Sequence, residues 1–497
     1  MNFPHEIMRE ESPLSQKVVR GGAWIFALRI MRHIFELIRI IILARILAPH
    51  DFGLLGIALL AIAILETFSQ TGFQQALIQK KDKIEDSLNT AWTILIIRGL
   101  ILFAILYLAA PLVAIFFGAS ETTLIIQIIG ISILFQAFTN IGVIYFQKEL
   151  EFNKQFIYQS SGTLADVIVA VSAALLLKNV WALVFGFLAG NFVRLIVSYL
   201  VHPWRPDFSL KMEKAKELFS FGKWILGSSV LLFLINQGDD LFVGKYLGLA
   251  ALGFYQMAFR ISNMPVTEIT HIISQVSFPA YSKIQDDIRR LKQAYTKVLK
   301  FATFLSFPIA GIIFILAPVF TNLFLGEKWM PMVPAMRVLC IFAIARSIGA
   351  TYGPLFFGAN KPRFLTITTF IKFVLLVILI YPLTKLWGIT GTALATTIPV
   401  FISQSYGISR VLRILRCKLK EILVPIFIPF SGTLLIIAVF FFTKYITASN
   451  ITLFIVGIIL GISVYLGFTF YAGKHITKYN ILEELKGIIG NLRLKGE

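Results

Sequence analysis

The sequence predicts an all-α polytopic membrane protein of about 14 transmembrane helices: two six-helix lobes and two extra C-terminal helices. Three observations predict it: a composition too apolar for water, loop charges that alternate from one side to the other, and an internal repeat. Of the 497 residues, 57% are hydrophobic and 14% charged, and the mean hydropathy is +0.80. Soluble domains average about 25% charged residues, so the polar surface of a water-soluble globule is missing. A formal net charge of +20 would suggest nucleic acid in a soluble chain. Here it fits the excess of Lys and Arg that membrane proteins keep in cytoplasmic loops, and no nucleic-acid partner is expected.

A spanning helix needs about 20 mostly apolar residues. Fourteen segments qualify: 21–48, 52–74, 89–117, 121–147, 156–178, 180–202, 216–242, 249–279, 295–325, 331–358, 364–384, 387–411, 421–443 and 450–473. The polar start, MNFPHEIMREESPLSQ, is followed by an apolar run too long for a signal peptide. With the N-terminus inside, the inner loops hold about 30 Lys and Arg and the outer ones about 5. Inner examples are Lys80, Lys83, Arg205, Arg289, Arg290 and Arg416; the outer ones are single residues such as Lys178, Lys245 and Lys385. One miscounted helix would invert every later loop, so the alternation predicts an even helix number and two cytoplasmic termini.

The third observation is the repeat. GGAWIFALRIMRHIFELIRIIILARILAPHDFGLL aligns without a gap on FGKWILGSSVLLFLINQGDDLFVGKYLGLAALGFY. Gly22 meets Gly222, Trp24 meets Trp224, Arg45 meets Lys245, Leu47 meets Leu247 and Gly53 meets Gly253. Both copies start in the same direction, which gives a parallel repeat of the kind transporters place around a midplane site. The expected division is a cytoplasmic segment 1–20, an N-lobe 21–202 (helices 1–6) and an inter-lobe linker 203–215. A C-lobe 216–412 (helices 7–12), two extra helices over 413–473 and a cytoplasmic amphipathic tail 474–497 complete it.

The first span carries RIMRHIFELIR. At 100° per residue, Arg29, Arg32, His33, Glu36 and Arg39 share an arc of roughly 120°. A charge facing lipid at mid-membrane costs at least about 2.5–3.5 kcal/mol, so this face needs a wet cavity or partners. Arg32–Glu36 and Glu36–Arg39 are at ion-pair spacing, yet three arginines against one glutamate leave the face positive. That suits an anionic ligand. The competing reading is a charge network tying helix 1 to its neighbours, with Asp239, at the repeat position of Arg39, and Asp240 beside it as neutralising acids. Helix 8 adds Arg260, His271 and, at the edge of its polar face, Glu268. Arg98 and Asp166 lie deep in helices 3 and 5; Asp166 reads equally as a proton or sodium site and as a hydrogen-bonded partner. Further intramembrane charges are Glu66, Arg194, Arg337, Arg346 and Lys372.

No catalytic residues emerge: there is no P-loop, no H-E-x-x-H and no carboxylate pair beside a nucleophile. Cys340 and Cys417 show neither pairing nor metal spacing. An enzyme is not expected, nor a bound metal or cofactor.

The segments GGAWIFALRI, IIILARILAPHDFGLLGIALL and ETFSQTGFQQALIQKKD, with the later GDDLFVGKYLGLAALGFYQMAFRI and VSFPAYSKIQDD, carry a resemblance. The chain resembles the Wzx-type lipid-linked oligosaccharide (O-antigen) flippases, in the colanic-acid-exporter-like branch of the multidrug/oligosaccharidyl-lipid/polysaccharide (MOP) exporter superfamily. The likeness covers nearly the whole chain and is strongest over 21–92 and 221–287. Its phrases LARILAP-x-DFG and GKYLG-x-x-x-LG-x-Y read as packing and turn signals. The resemblance implies a MATE-like fold and a polyprenyl-(pyro)phosphate-linked glycan moved from the inner to the outer leaflet of the cytoplasmic membrane for surface polysaccharide synthesis. It implies a head-group-binding role for Arg29, Arg32 and Arg39, with Arg98 and Arg260 as weaker candidates. His33, Glu36, Asp166, Asp239, Asp240, Glu268 and His271 are expected to serve a cavity network or H+ or Na+ coupling. Membrane lipids and the polysaccharide polymerase machinery are candidate partners. The alternatives are a multidrug/cation antiporter of the same superfamily, a lipid-II-type flippase and, from another class, a glycan polymerase or ligase. An acidic cavity would favour the first, and a large outer catalytic loop the last.

Overall fold

The turn between the first two helices is specified residue by residue. α1 (Pro13–Ile46) closes with Leu47 N–H donating to the Leu43 carbonyl at 2.8 Å. Ala48 is extended, and Pro49 opens α2 (Pro49–Phe68) in the first turn, where its missing N–H has no helical partner to lose. The Asp51 carboxylate then accepts from Ala48 N–H at 2.8 Å.

The computed structural model describes residues 13–69, 85–149, 151–210, 232–446 and 449–472. Most of the expected N-terminal segment, part of the 203–215 linker and the amphipathic tail 474–497 lie outside these residues. After α2 come α3 (Glu85–Phe117), α4 (Thr122–Ile129), α5 (Ile131–Phe138), α6 (Ile144–Lys148), α7 (Phe152–Leu177), α8 (Trp181–Val201) and α9 (232–246). Then follow α10 (Leu249–Lys283), α11 (Ile288–Phe320), α12 (Val333–Gly358), α13 (Arg363–Leu415), α14 (Leu419–Ile446) and α15 (Asn450–Ala472). No strand occurs among the described residues. Leu108 and Ile115 on α3 are each 75% exposed. Such apolar surface is costly against water but matched to lipid.

The fourteen expected spans follow helix over their described residues, with one broken and two fused. The span expected over 121–147 is broken at Thr139, which leaves the helix with ψ 137°. Buried Asn140 explains the break. Its Oδ1 accepts from Gly142 N–H at 2.8 Å, its Nδ2 donates to the Trp204 carbonyl at 2.7 Å, and its backbone N–H donates to the Ser198 hydroxyl at 3.0 Å. Helix continuity is exchanged for bonds to α8 and the strand of chain after it. The two spans expected over 364–384 and 387–411 are the arms of α13. Trp387 and Gly388 (φ 56°, ψ −136°) are non-helical, a conformation that glycine reaches without strain. The Thr384 and Thr392 hydroxyls bond at 2.8 Å, and a Cβ on Gly407 would lie 3.5 Å from the Thr368 methyl. These pairings make α13 an antiparallel hairpin.

Packing divides the chain between Gly253 and Phe254. In the first unit, α7 and α8 form the most extensive helix pair and α1 packs on α7. Small residues make the close approach possible: Gly162 and Ala170 on α7 face Gly186 and Gly190 on α8. The first unit also contains a reciprocal contact between repeat-equivalent positions. Gly53 sits against the Leu249 carbonyl, and Gly253 against the Pro49 carbonyl. The turn before each is also repeated, since Leu247 N–H donates to the Val243 carbonyl at 2.9 Å as Leu47 does to Leu43.

In the second unit, α11 is central and packs against α12, α14 and α15. Phe304, Leu316, Ile436, Phe440 and Tyr465 form the core of that face. The buried Tyr465 hydroxyl donates to the Phe304 carbonyl at 2.8 Å, tying α15 to α11.

Candidate functional site

In the first unit the charged face of α1 points its last arginine at α7. Arg39 Nη2 lies 3.1 Å from Asp166 Oδ1, with side chains 11% and 23% exposed. Asp166 can reach this position because it stands between Gly162 and Ala170, four residues from each. Across from it, Gly186 has no side chain: a Cβ there would lie 2.7 Å from Asp166 Oδ1. One turn back on α1, His33 Nδ1 and Glu36 Oε2 are 3.7 Å apart. Arg29 and Glu36 are half-buried on the same helix, and Arg32 is exposed. Asp239 in α9 is 4% exposed, and its Oδ1 accepts from Asp240 N–H at 3.1 Å.

Arg98 is placed differently. Its guanidinium donates to the Ser69 hydroxyl at 2.8 Å and the Glu66 carbonyl at 3.3 Å. It thereby closes the C-terminal end of α2, where carbonyls lack helical partners. This bond joins α3 to α2.

The second unit holds Arg260, Glu268 and His271, all on α10. Arg260 is exposed and Glu268 half-buried. His271 lines a cavity of about 960 Å³ that α10, α12 and both arms of α13 enclose. Two cations also line it, Arg346 from α12 and Lys372 from α13, and none of its lining residues is an Asp or Glu. Lys372 Nζ stands 5.7 Å from the Phe342 ring centroid. The sequence displays Arg346 and Lys372 only as intramembrane charges on separate helices. The short turn at residues 359–362 sets these two helices side by side, and the tight turn at Gly388 brings Ser403 and Gln404 of the second arm to the same cavity.

This polytopic fold, with cations inside both units, can be set beside known proteins. Residues 42–334, more than half of the chain, match the family model described as polysaccharide biosynthesis protein. The chain belongs to this family. A membrane protein of the cps region of Klebsiella pneumoniae is 27% identical to this polysaccharide biosynthesis protein over 489 residues, 97% of this chain and 99% of the relative. The lipopolysaccharide biosynthesis protein WzxC of Escherichia coli is 27% identical over 344 residues, 69% of this chain and 70% of WzxC. Among solved structures, the lipid II flippase MurJ in an inward closed conformation superposes with a TM-score of 0.74 at 18% identity, covering 92% of this chain and 100% of MurJ. An inward-facing multidrug resistance MATE family transporter of the MOP superfamily follows at 0.60 and 16% identity, covering 80% of this chain and 99% of the transporter. The expected MATE-like, all-α membrane fold is thus found.

Proposed function

We infer that the chain is a transporter rather than an enzyme, and that it moves a polyprenyl-(pyro)phosphate-linked oligosaccharide from the inner to the outer leaflet of the cytoplasmic membrane. The observation that carries this reading is the α1 face. Arg29, Arg32 and Arg39 share this helix face with a single acid, Glu36, and Arg39 reaches Asp166 on α7. A membrane-embedded positive face is matched to a diphosphate and mismatched to a cationic drug. Family membership and the MurJ-like fold support the lipid-linked cargo. The mechanism is alternating access, in which cargo drives the switch only through a difference in affinity between inward and outward states.

The test is translocation of a fluorescent polyprenyl-diphosphate glycan in reconstituted vesicles, read as protection of the lipid from an external glycosidase. Arg29→Gln/Arg32→Gln is expected to slow translocation at least tenfold while leaving the detergent-purified protein monodisperse. Unchanged translocation in that variant would remove the α1 face from the mechanism. No translocation by the wild type, together with export of a cationic dye, would replace the flippase with a drug antiporter.

Both termini belong in the cytoplasm on the loop charges, and a native thiol tests this. Cys417 lies half-buried in the turn between α13 and α14, whereas Cys340 is buried. A membrane-impermeant maleimide is expected to label Cys417 in inside-out vesicles and not in intact cells. Burial first, and the Glu421 carboxylate second, push the Cys417 thiol up. Less thiolate is present at neutral pH than for a free thiol, so labelling should be slow at pH 7 and keep rising above the ordinary thiol range. Labelling of intact cells would invert the topology.

A further inference from the structure

We propose that the cytoplasmic end of α13 binds an anionic phospholipid of the inner leaflet, with the Arg410 guanidinium on its phosphate. The proposal is independent of what the chain transports, and the site lies apart from the cavity, which Arg410 does not line.

The open end of the α13 hairpin is basic in sequence. Residues 359–366 and 405–418 hold Lys361, Arg363, Arg410, Arg413, Arg416 and Lys418, and no Asp or Glu. The loop charges put both stretches on the cytoplasmic side. Basic residues at other turns have acids: Arg290 Nε is 3.4 Å from Asp287 Oδ2, and Lys292 pairs with Glu421. Among the described residues, Lys361, Arg363, Arg410 and Arg413 are in no ion pair.

Rings, rather than acids, place Arg410. Its Cζ lies 4.5 Å from the ring centroid of Tyr406, one turn back, and 5.5 Å from that of Phe364 on the first arm. Phe364 is itself held edge-on to Phe356 of α12, with centroids 5.7 Å apart. A side chain that needed only water would extend past the helix end. Arg410 instead leans back over Tyr406 toward the bilayer, to the level where Tyr rings and lipid head groups meet. Among the described residues its guanidinium makes no hydrogen bond; Nε is buried, and the two Nη groups are not. The ring contacts serve the positive charge without using a donor. The Nη groups therefore remain for two oxygens of one phosphate.

The surface beside these cations selects a lipid over a free anion. Further along the hairpin, Phe370 and Ile378 of the first arm and Phe401 and Ile402 of the second are exposed. At the rise of an α-helix, Phe370 stands about 9 Å from Phe364 and Phe401 about 13.5 Å from Arg410. A molecule with a phosphate at the cationic end and acyl chains running down the arms is matched at both ends. A zwitterionic phospholipid would bring a cation of its own to the same cluster and bind less well.

The experiment is native mass spectrometry of the full-length protein released from micelles. The probes are phosphatidylglycerol, phosphatidylcholine with the same chains, and undecaprenyl diphosphate. Phosphatidylglycerol is expected to bind saturably and at least tenfold more tightly than phosphatidylcholine. Arg410→Gln should weaken phosphatidylglycerol at least fivefold and leave phosphatidylcholine unchanged. Tyr406→Leu, which keeps the charge and removes one ring, should weaken phosphatidylglycerol by a smaller factor. Arg289→Gln/Arg290→Gln removes more charge from another cytoplasmic turn and should leave phosphatidylglycerol unchanged. Thermal unfolding within a few degrees of wild type, without added lipid, reports that a variant is folded. If Arg410→Gln is not, Arg410→Lys, which keeps the charge and loses the planar fork, replaces it and should weaken phosphatidylglycerol severalfold. Equal affinity for the two phospholipids would overturn the proposal. So would equal losses in Arg410→Gln and Arg289→Gln/Arg290→Gln, which would reduce the cluster to a general attraction between a basic face and anionic lipid. Arg410-dependent binding that prefers undecaprenyl diphosphate would overturn it in favour of a polyprenyl lipid. An unfolding temperature raised as much by inorganic phosphate as by phosphatidylglycerol would overturn it in favour of a free anion.

Discussion

Asp166→Ala should lower the stability of the first unit by about 3–5 kcal/mol, the range for removing one partner of a buried ion pair. The carboxylate is 3.1 Å from Arg39 Nη2, and both side chains are mostly buried. The loss is chiefly the charge left behind on Arg39, which in the bilayer has poor access to water. Asp166→Asn keeps the shape and one acceptor oxygen and should cost less. Arg39→Asp/Asp166→Arg restores the pair in reverse and should recover part of the loss. Recovery will be incomplete, because the hollow opposite Gly186 is cut for a short side chain. Thermal unfolding of the four proteins in one detergent forms a double-mutant cycle. A coupling near zero would show that α1 is held to α7 by apolar packing alone and that Arg39 is served by other groups.

The positions of helices were legible because their cause is local. Apolar runs of about 20 residues and alternating loop charge survive without any knowledge of packing. The break at Thr139 was not, because its cause is distant: Asn140 leaves the helix to reach Ser198 and Trp204 in α8 and beyond. The charged face of α1 was legible from periodicity, but not its partner. Repeat alignment offered Asp239 and Asp240 as neutralising acids, and the structure adds a bond at 3.1 Å from Arg39 to Asp166, which the sequence left open between ion site and hydrogen-bonded partner. The choice between those readings depends on which helix packs on α1, and the small residues of α7 and α8 decide that. Arg98 illustrates the same limit. The resemblance makes it a weaker candidate for the head group, and only the structure shows its guanidinium donating to Ser69 and Glu66 at the end of α2. Arg346 and Lys372 come together through the short turn at residues 359–362 between α12 and α13, and Ser403 and Gln404 join them through the chain reversal at Gly388; neither hydropathy nor charge pattern encodes which faces then meet.

Gly53→Ala and Gly253→Ala should each destabilise the protein by about 3 kcal/mol or more, at the upper end for overpacking, which typically costs about 1–3 kcal/mol. A methyl at residue 53 would fall on the Leu249 carbonyl, and one at residue 253 on the Pro49 carbonyl. Both obstacles are backbone, so no side-chain rotation relieves them, and the first turns of α2 and α10 must separate. The two contacts are one junction seen from its two repeats. Once one substitution has opened it, the second meets free space. The double variant should therefore lose much less than the sum of the singles. Gly467→Ala is the control: it lies exposed on α15 with nothing within 4 Å of its Cβ position. It should be neutral or stabilising by up to about 1 kcal/mol from helix propensity. Additive losses at residues 53 and 253 would mean that the two glycines act separately. The phrases LAP-x-DFG and LG-x-x-x-LG-x-Y would then mark two unrelated turns. Strong non-additivity would make them the two halves of one contact, for which both repeats must keep a residue without a side chain.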